Sequence, residues 1–514
     1  MARGLRQLIP AALSAALLAA LVLGTLGAVT IRAGGFGALR GPDLSALWFT
    51  LWQAALSAAL SCALAVPVAR ALYRRRFMGR GLLISLLGAP FILPTIAAVM
   101  GLIAVFGRRG FVNEALGAVG LPEVTIYGAH GVIAAHVFFN LPLATRMLLH
   151  GWQAIPSERF RLAQSLGFGP AQMLRHLEGP MLRRVLPGAA LAIFLVCLTS
   201  FAIALTLGGG PRATTVELAI YQAFRFDFDM GRAASLALVQ VGVCLGAVVV
   251  SLLVTLPSSS EAGLDRPPVA GLGAGLVLRA QDMLAIAAAS AFLLIPIATI
   301  LLRGIPTLGA LPGSVWSAVG TSLWIAGGST LLTLALALPL ALAAPRHRWA
   351  EAAAMLPLTA SALVMGTGLF LIARPFVNPT SLALPVTLIA NAALSLPFAV
   401  RILIPEARQL QADYDRLAAS LGLTGVARLR LLTLPRLARP LGFAAGLSAA
   451  FSMGDLGVIT LFSDGETQTL PLALFQLMGS YRLDQAAGAA TLLMVLTFAL
   501  FWACDRIGHH ADPR

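Results

Sequence analysis

Along the 514 residues, long apolar runs alternate with short polar gaps. The runs lie near 8–31, 46–69, 81–106, 131–150, 186–207 and 233–256, then near 281–303, 318–343, 351–373, 383–404, 438–462 and 485–504. About 20 apolar residues suffice for a helix to cross a bilayer, so the pattern predicts twelve transmembrane helices, six per half. Barrel strands are excluded because the runs lack a short polar–apolar alternation, whereas a helix satisfies its own backbone in hydrocarbon. The first run follows Arg3 and Arg6 and imitates a signal peptide, yet at roughly 24 residues it outgrows a cleaved apolar segment. It reads as a retained helix. The stretch 257–280, rich in Pro, Gly and Ser, reads as a cytoplasmic linker between a first unit, 1–256, and a second, 281–514. The expected fold is an all-α integral membrane protein.

Composition agrees: 58% of residues are hydrophobic and 11% charged, which excludes a soluble multidomain enzyme. The net charge of +15 does not mark a nucleic-acid-binding protein, because the basic residues sit in gaps between apolar runs and do not cluster on a polar face. All 36 are arginine; the chain has no lysine. With the N-terminus in the cytoplasm, 26 of the 36 fall on the cytoplasmic side, so positive-inside bias places both termini there. The dense cluster Arg74, Arg75, Arg76 and Arg80 reads as a headgroup anchor. Four scattered cysteines in apolar runs suggest neither disulfides nor a metal site.

The two halves share a repeat. RLAQSLGFGPAQMLRHLEGPML (161–182) aligns without gaps on RLAASLGLTGVARLRLLTLPRL (416–437) at an offset of 255, with 11 of 22 positions identical. Upstream, NLPLATR (140–146) meets SLPFAVR (395–401) at the same offset. Six spans separate the copies, so both face one side in the same orientation, as in parallel repeats about an axis along the membrane normal. Each copy reads as a helical hairpin, built from 157–166 and 170–178 in the first and 412–421 and 425–433 in the second. Gly167 and Gly422 take the left-handed turn, Pro170 starts a helix, Thr424 caps its counterpart, and Pro180 and Pro435 end each unit. A polar hairpin presented twice is a docking surface for a two-fold partner.

These residues resemble the EAA loop of ATP-binding-cassette importer permeases. Ala163, Gly167 and Pro180, with Ala418, Gly422 and Pro435, match the motif, whereas Arg161 and Arg416 stand where the family has glutamate. The resemblance implies a type I importer permease whose loops, 157–182 and 412–437, dock two copies of an ATP-binding subunit. Two loops in one chain resemble the fused permeases. A Walker A loop requires lysine, so this lysine-free chain carries none, and LGGGPR (207–212) is a turn. No cofactor is expected on this chain; ATP and Mg belong to the partner.

IYGAHGVIAAHVFFNLPLATRMLLHGWQAIP (126–156) and FSMGDLGVITLFSDGETQTLPLALFQLMGSYRLDQAAG (451–488) are similar to thiamine and thiamine-phosphate permeases, with ferric-iron permeases of the same fused build as the alternative. The resemblance implies a bacterial inner-membrane subunit that receives a small-molecule substrate from a periplasmic binding protein. Asp455 falls inside an apolar run, where a charge is costly and usually faces a cavity. Either it lines the pathway, opposite charge for a cationic substrate beside the π face of Phe451, or it bonds a neighbouring helix. His136, Asn140 and Asn391 are further pathway candidates or interhelical hydrogen bonds. The outer loops 107–130, 208–232 and 463–484 offer Arg108, Arg109, Glu217, Asp464, Glu466 and Arg482 to the binding protein. A proton-coupled transporter of the major facilitator type is the rival architecture; ARALYRRRFMGRG (69–81) lacks the acidic residue of that family's motif.

Overall fold

The computed structural model describes residues 2–33, 39–87, 92–208, 210, 213–254, 275–463, 465 and 467–511. The first half contains α1 (Ala2–Arg32), α2 (Gly41–Arg74), α3 (Arg80–Leu86), α4 (Thr95–Phe106), α5 (Phe111–Ala118), α6 (Ala129–Gln153), α7 (Ser157–Ser165), α8 (Pro170–Met173), α9 (Gly179–Leu198), α10 (Ala202–Leu207), α11 (Val216–Arg225) and α12 (Met230–Val254). The second contains α13 (Leu276–Gly304), α14 (Gly313–Ala343), α15 (Arg348–Met355), α16 (Ala362–Ala373), α17 (Ala383–Ser420), α18 (Gly425–Arg428), α19 (Leu434–Arg436), α20 (Ala438–Gly454), α21 (Gly457–Phe462), α22 (Leu470–Gly479) and α23 (Leu483–His510). Among the described residues, 11 helices are long and apolar enough to cross a membrane, and the pair Arg348–Thr359 and Ala362–Ala373, bent by 88°, brings the number to 12 when it is counted as one broken span. Most of the expected linker lies outside the described residues, but its last residues, from Leu276, already belong to α13.

Packing repeats as the sequence does. α2 packs on α6 and α9, and α14 on α17 and α20; α11 lies on α12, and α22 on α23. The first helix of each half reaches across to the other half. α1 packs on α14 and α16 as well as on α12 of its own half, and α13 on α2 and α4 as well as on α23 of its own half. Glycines make room for this exchange. A Cβ on Gly368 of α16 would sit 2.6 Å from the Thr25 backbone oxygen of α1, and one on Gly101 of α4 would sit 2.8 Å from the Pro296 oxygen of α13. Such approaches between backbones are how helices associate tightly in lipid, where no hydrophobic force separates protein from tail. An ion pair joins the halves at one end, Arg75 Nε to Asp282 Oδ2 at 2.7 Å.

Candidate translocation cavity and docking loops

Two spans break in the same place in each half. α9 stops at Leu198 and the chain resumes as α10, and α20 stops at Gly454 before α21. The breaks free backbone and side chains to line a cavity of about 470 Å³ between the halves. Its walls are residues 92–95 at the start of α4, α6 and the α9–α10 break from one half, and the turn around 357–361, α17 and the α20–α21 break from the other. Non-helical backbone at membrane depth is tolerated where protein or a cavity surrounds it.

All five pathway candidates, Asp455, Phe451, His136, Asn140 and Asn391, line this one cavity. Asp455 is not inside a helix, as its apolar surroundings suggested. It is extended (φ −70°, ψ 129°) at the end of α20, because the span breaks there. Asp455 Oδ1 accepts the Gly457 N–H at 3.2 Å, capping the next helical piece. His136 Nδ1 lies 3.5 Å from Ser57 Oγ, Asn140 donates to the His136 carbonyl at 2.8 Å, and Asn391 donates to Ser452 Oγ at 3.1 Å. Sequence reading missed Phe398, which pairs edge-to-face with Phe451 at 5.0 Å between centroids. Its position two turns beyond Asn391 on α17, on the same helix face, was the available signal.

The repeated loops form at one end of the bundle. Gly167 (φ +71°) and Gly422 (φ +66°) take the left-handed conformation, and Phe168 N–H and Leu423 N–H close back on the carbonyls of Ala163 and Ala418, both at 2.9 Å. This six-to-one closure satisfies otherwise orphaned helix-end carbonyls. Ala163 and Ala418 are buried. On the outer face Leu162 and Leu166 are 61% and 63% exposed, and their repeat mates Leu417 and Leu421 are 52% and 64% exposed. Arg161 is half-exposed and reaches Ser157 Oγ at 3.2 Å, and Arg416 is exposed.

Three expectations for the loops need correction. In the second copy the first hairpin helix is not separate, because α17 runs unbroken from 383 to 420, whereas Pro156 separates α6 from α7 in the first. Pro180 and Pro435 do not end their units. Each follows a single π-helical turn, 174–178 and 429–433, in which Gly179 N–H reaches Leu174 O and Leu434 N–H reaches Leu429 O. The wider turn accommodates the ring and the missing N–H, so the hairpin continues towards the membrane. Thr424 occupies the cap position but its side chain makes no capping bond.

Ion pairs hold the loops in unlike ways. Glu178, buried beneath the first loop, binds Arg70 at 2.8 Å and Arg74 at 3.1 Å. Its repeat mate is Thr433; there Asp415 bonds Arg346 and Arg428 instead. Arg74 and Arg75 are therefore not headgroup anchors, since partners within the protein claim both.

Arg108 and Arg109 follow α4 and Arg482 precedes α23, all three exposed. Asp464 and Glu466 lie outside the described residues. Glu217 cannot meet a soluble protein here. It is 1% exposed, with its carboxyl beside Ser361 and Gln240, because α11 folds back into the bundle and its Val216 N–H bonds Thr50 Oγ1 of α2 at 2.8 Å.

A pseudo-two-fold helical bundle with a cavity lined by both halves and duplicated loops at one end has the build of a multi-pass membrane permease, a transport subunit. The chain is 39% identical over 510 residues to the thiamine transport system permease protein ThiP of Brucella abortus (strain 2308), covering 96% of this chain and 94% of that one. It is 37% identical over 457 residues to the protein of that name from Escherichia coli (strain K12), with 86% and 84% covered. Identity to the Haemophilus influenzae protein is 35% over 451 residues, with 84% and 83% covered. No family model matches. The chain belongs to the thiamine transport system permease family.

Proposed function

We propose that this chain is the inner-membrane permease of an ATP-driven, binding-protein-dependent importer for thiamine and its phosphates. The observation that carries the reading is the duplicated loop with exposed leucines at matching positions, joined through α9 and α20 to a cavity between the halves. Two ATP-binding subunits dock on 157–182 and 412–437, a surface whose closed glycine turns suit repeated engagement of one partner. Both termini and both loops face the cytoplasm, in keeping with the 26 arginines assigned to that side. A binding protein delivers substrate at the opposite end, where Arg108, Arg109 and Arg482 are exposed. ATP and Mg reside on the partner; binding and hydrolysis there supply the differential free energy between two arrangements of the permease. This chain's part is to relay loop movement through α6–α9 and α17–α20 to the breaks that wall the cavity.

Reconstitution with cognate ATPase and binding protein tests the reading. Labelled thiamine is expected to accumulate only with ATP; accumulation driven by a proton gradient without the ATPase would overturn it.

A further inference from the structure

The two walls of the cavity are related by the repeat in backbone but not in chemistry. At the 255-residue offset Ser200 corresponds to Asp455, Val196 to Phe451 and Leu143 to Phe398, and all six line the cavity. In these three pairs the second half carries the group suited to an organic cation, whereas in Phe139/Leu394 and Phe201/Leu456 the ring lies on the first half, so the carboxylate is what distinguishes the walls. The carboxylate is not needed to break the span, because α9 and α10 separate at Ser200 without one. Helix breaking therefore does not account for a buried acid at position 455.

Unmet hydrogen-bonding capacity does. Asp455 Oδ2, His136 Nε2 and Asn391 Oδ1 are buried atoms with no hydrogen-bond partner among the described residues, and all three residues line this cavity. His136 and Asn391 are 2% and 3% exposed. Buried polar atoms left unpaired cost stability, so three around one cavity mark a surface completed by something that enters it. A cavity of about 470 Å³ falls in the range that holds a small ligand. The Phe398–Phe451 pair sets aromatic surface on the same wall as the carboxylate, and a cation gains from both together in a desolvated site.

We propose that the permease itself contains a binding site for an aromatic organic cation, with Asp455 Oδ2 opposing the charge, Phe451 and Phe398 packing on the ring, and His136 and Asn391 bonding polar substituents from the facing walls. The site rests on the import reading above and adds to it a second point of recognition, after the binding protein has let go. Because the carboxylate sits on the second half alone, the ligand is held in one orientation despite the pseudo-symmetry.

Two measurements test this. The purified permease–ATPase complex, without binding protein, is heated with and without millimolar thiamine; a ligand that binds only the folded state raises the midpoint. The shift is expected in the native complex and lost in Asp455→Asn and in the charge-neutral Phe398→Leu/Phe451→Leu pair. In proteoliposomes, thiamine imported per ATP hydrolysed is expected to fall at least tenfold in the same variants and to recover in part when the carboxylate is moved across the axis by Ser200→Asp with Asp455→Ser. Native import with an unchanged ratio and thermal shift in the variants would overturn the site and leave the import reading standing. Should Asp455→Asn fail to assemble, the phenylalanine pair decides alone. Absence of ATP-dependent thiamine import by the native complex would overturn the import reading itself.

Discussion

Gly101 and Gly368 show how much a single missing methyl group can settle. Each lies where a backbone from the other half passes within van der Waals contact of its Cα, and a Cβ would come within 2.8 Å and 2.6 Å of a carbonyl oxygen. Neither neighbour is the flexible end of a side chain, so Gly368→Ala is expected to destabilise the solubilised protein by about 1–3 kcal/mol, read as a lowered thermal midpoint. An unchanged midpoint would mean that α1 is free to shift. Glu217 makes the opposite lesson. Along the chain it sits in a polar outer loop, yet the segment VELAIYQAF that holds it carries one charge among apolar residues and follows Thr215, whose side chain caps α11. That pattern was the legible sign of a buried helix, outweighed by the loop assignment around it. Glu217→Gln, which keeps shape and polarity, is expected to leave membrane yield and assembly intact, whereas Glu217→Lys abolishes yield because no nearby acid pairs a buried ammonium. Asp455 was legible as an unusual residue from its apolar neighbours alone; that it caps a broken helix was not, since Gly454 and Gly457 permit a break without requiring one.

At the scale of elements, the repeat and the spans could be read directly, because lipid enforces run length and chance does not produce a half-identical, ungapped duplicate. Gly167 and Gly422 could be read for a related reason: a left-handed turn leaves little choice of residue. Valine at both is expected to strain each turn by about 1–3 kcal/mol and to abolish co-purification of the ATPase with normal insertion; retained co-purification would remove the docking role. The π turns ahead of Pro180 and Pro435 were hidden, because a proline signals a stop as readily as a widened turn. So was the clamp on the first loop. Glu178 lies within the repeat, but its partners Arg70 and Arg74 come from a helix a hundred residues away and resemble ordinary anchors. Glu178→Gln leaves two arginines without their counter-ion, so amide exchange over 157–178 is expected to quicken while 412–433, held by Asp415, keeps its rate. Equal acceleration in both loops would show that the clamp is not local.

For the molecule as a whole, composition and periodicity determined the class and the number of halves, and left their arrangement open. Hydropathy reports what each helix faces on average, lipid or protein, and contains nothing about which half supplies the protein. The exchange of α1 and α13 therefore came only from packing. It follows that the halves are not separable bodies: residues 275–514 expressed alone are expected to be degraded, with stable protein recovered when 1–254 is co-expressed, as measured by membrane yield. The exchange also bears on how the protein comes into being. Thr25 meets its neighbour Gly368 only after roughly 340 more residues have left the ribosome, which at about 5–20 residues per second is tens of seconds. Until then the face of the first helix that meets α16 waits in the bilayer without its partner, although the contact with α12 can already form.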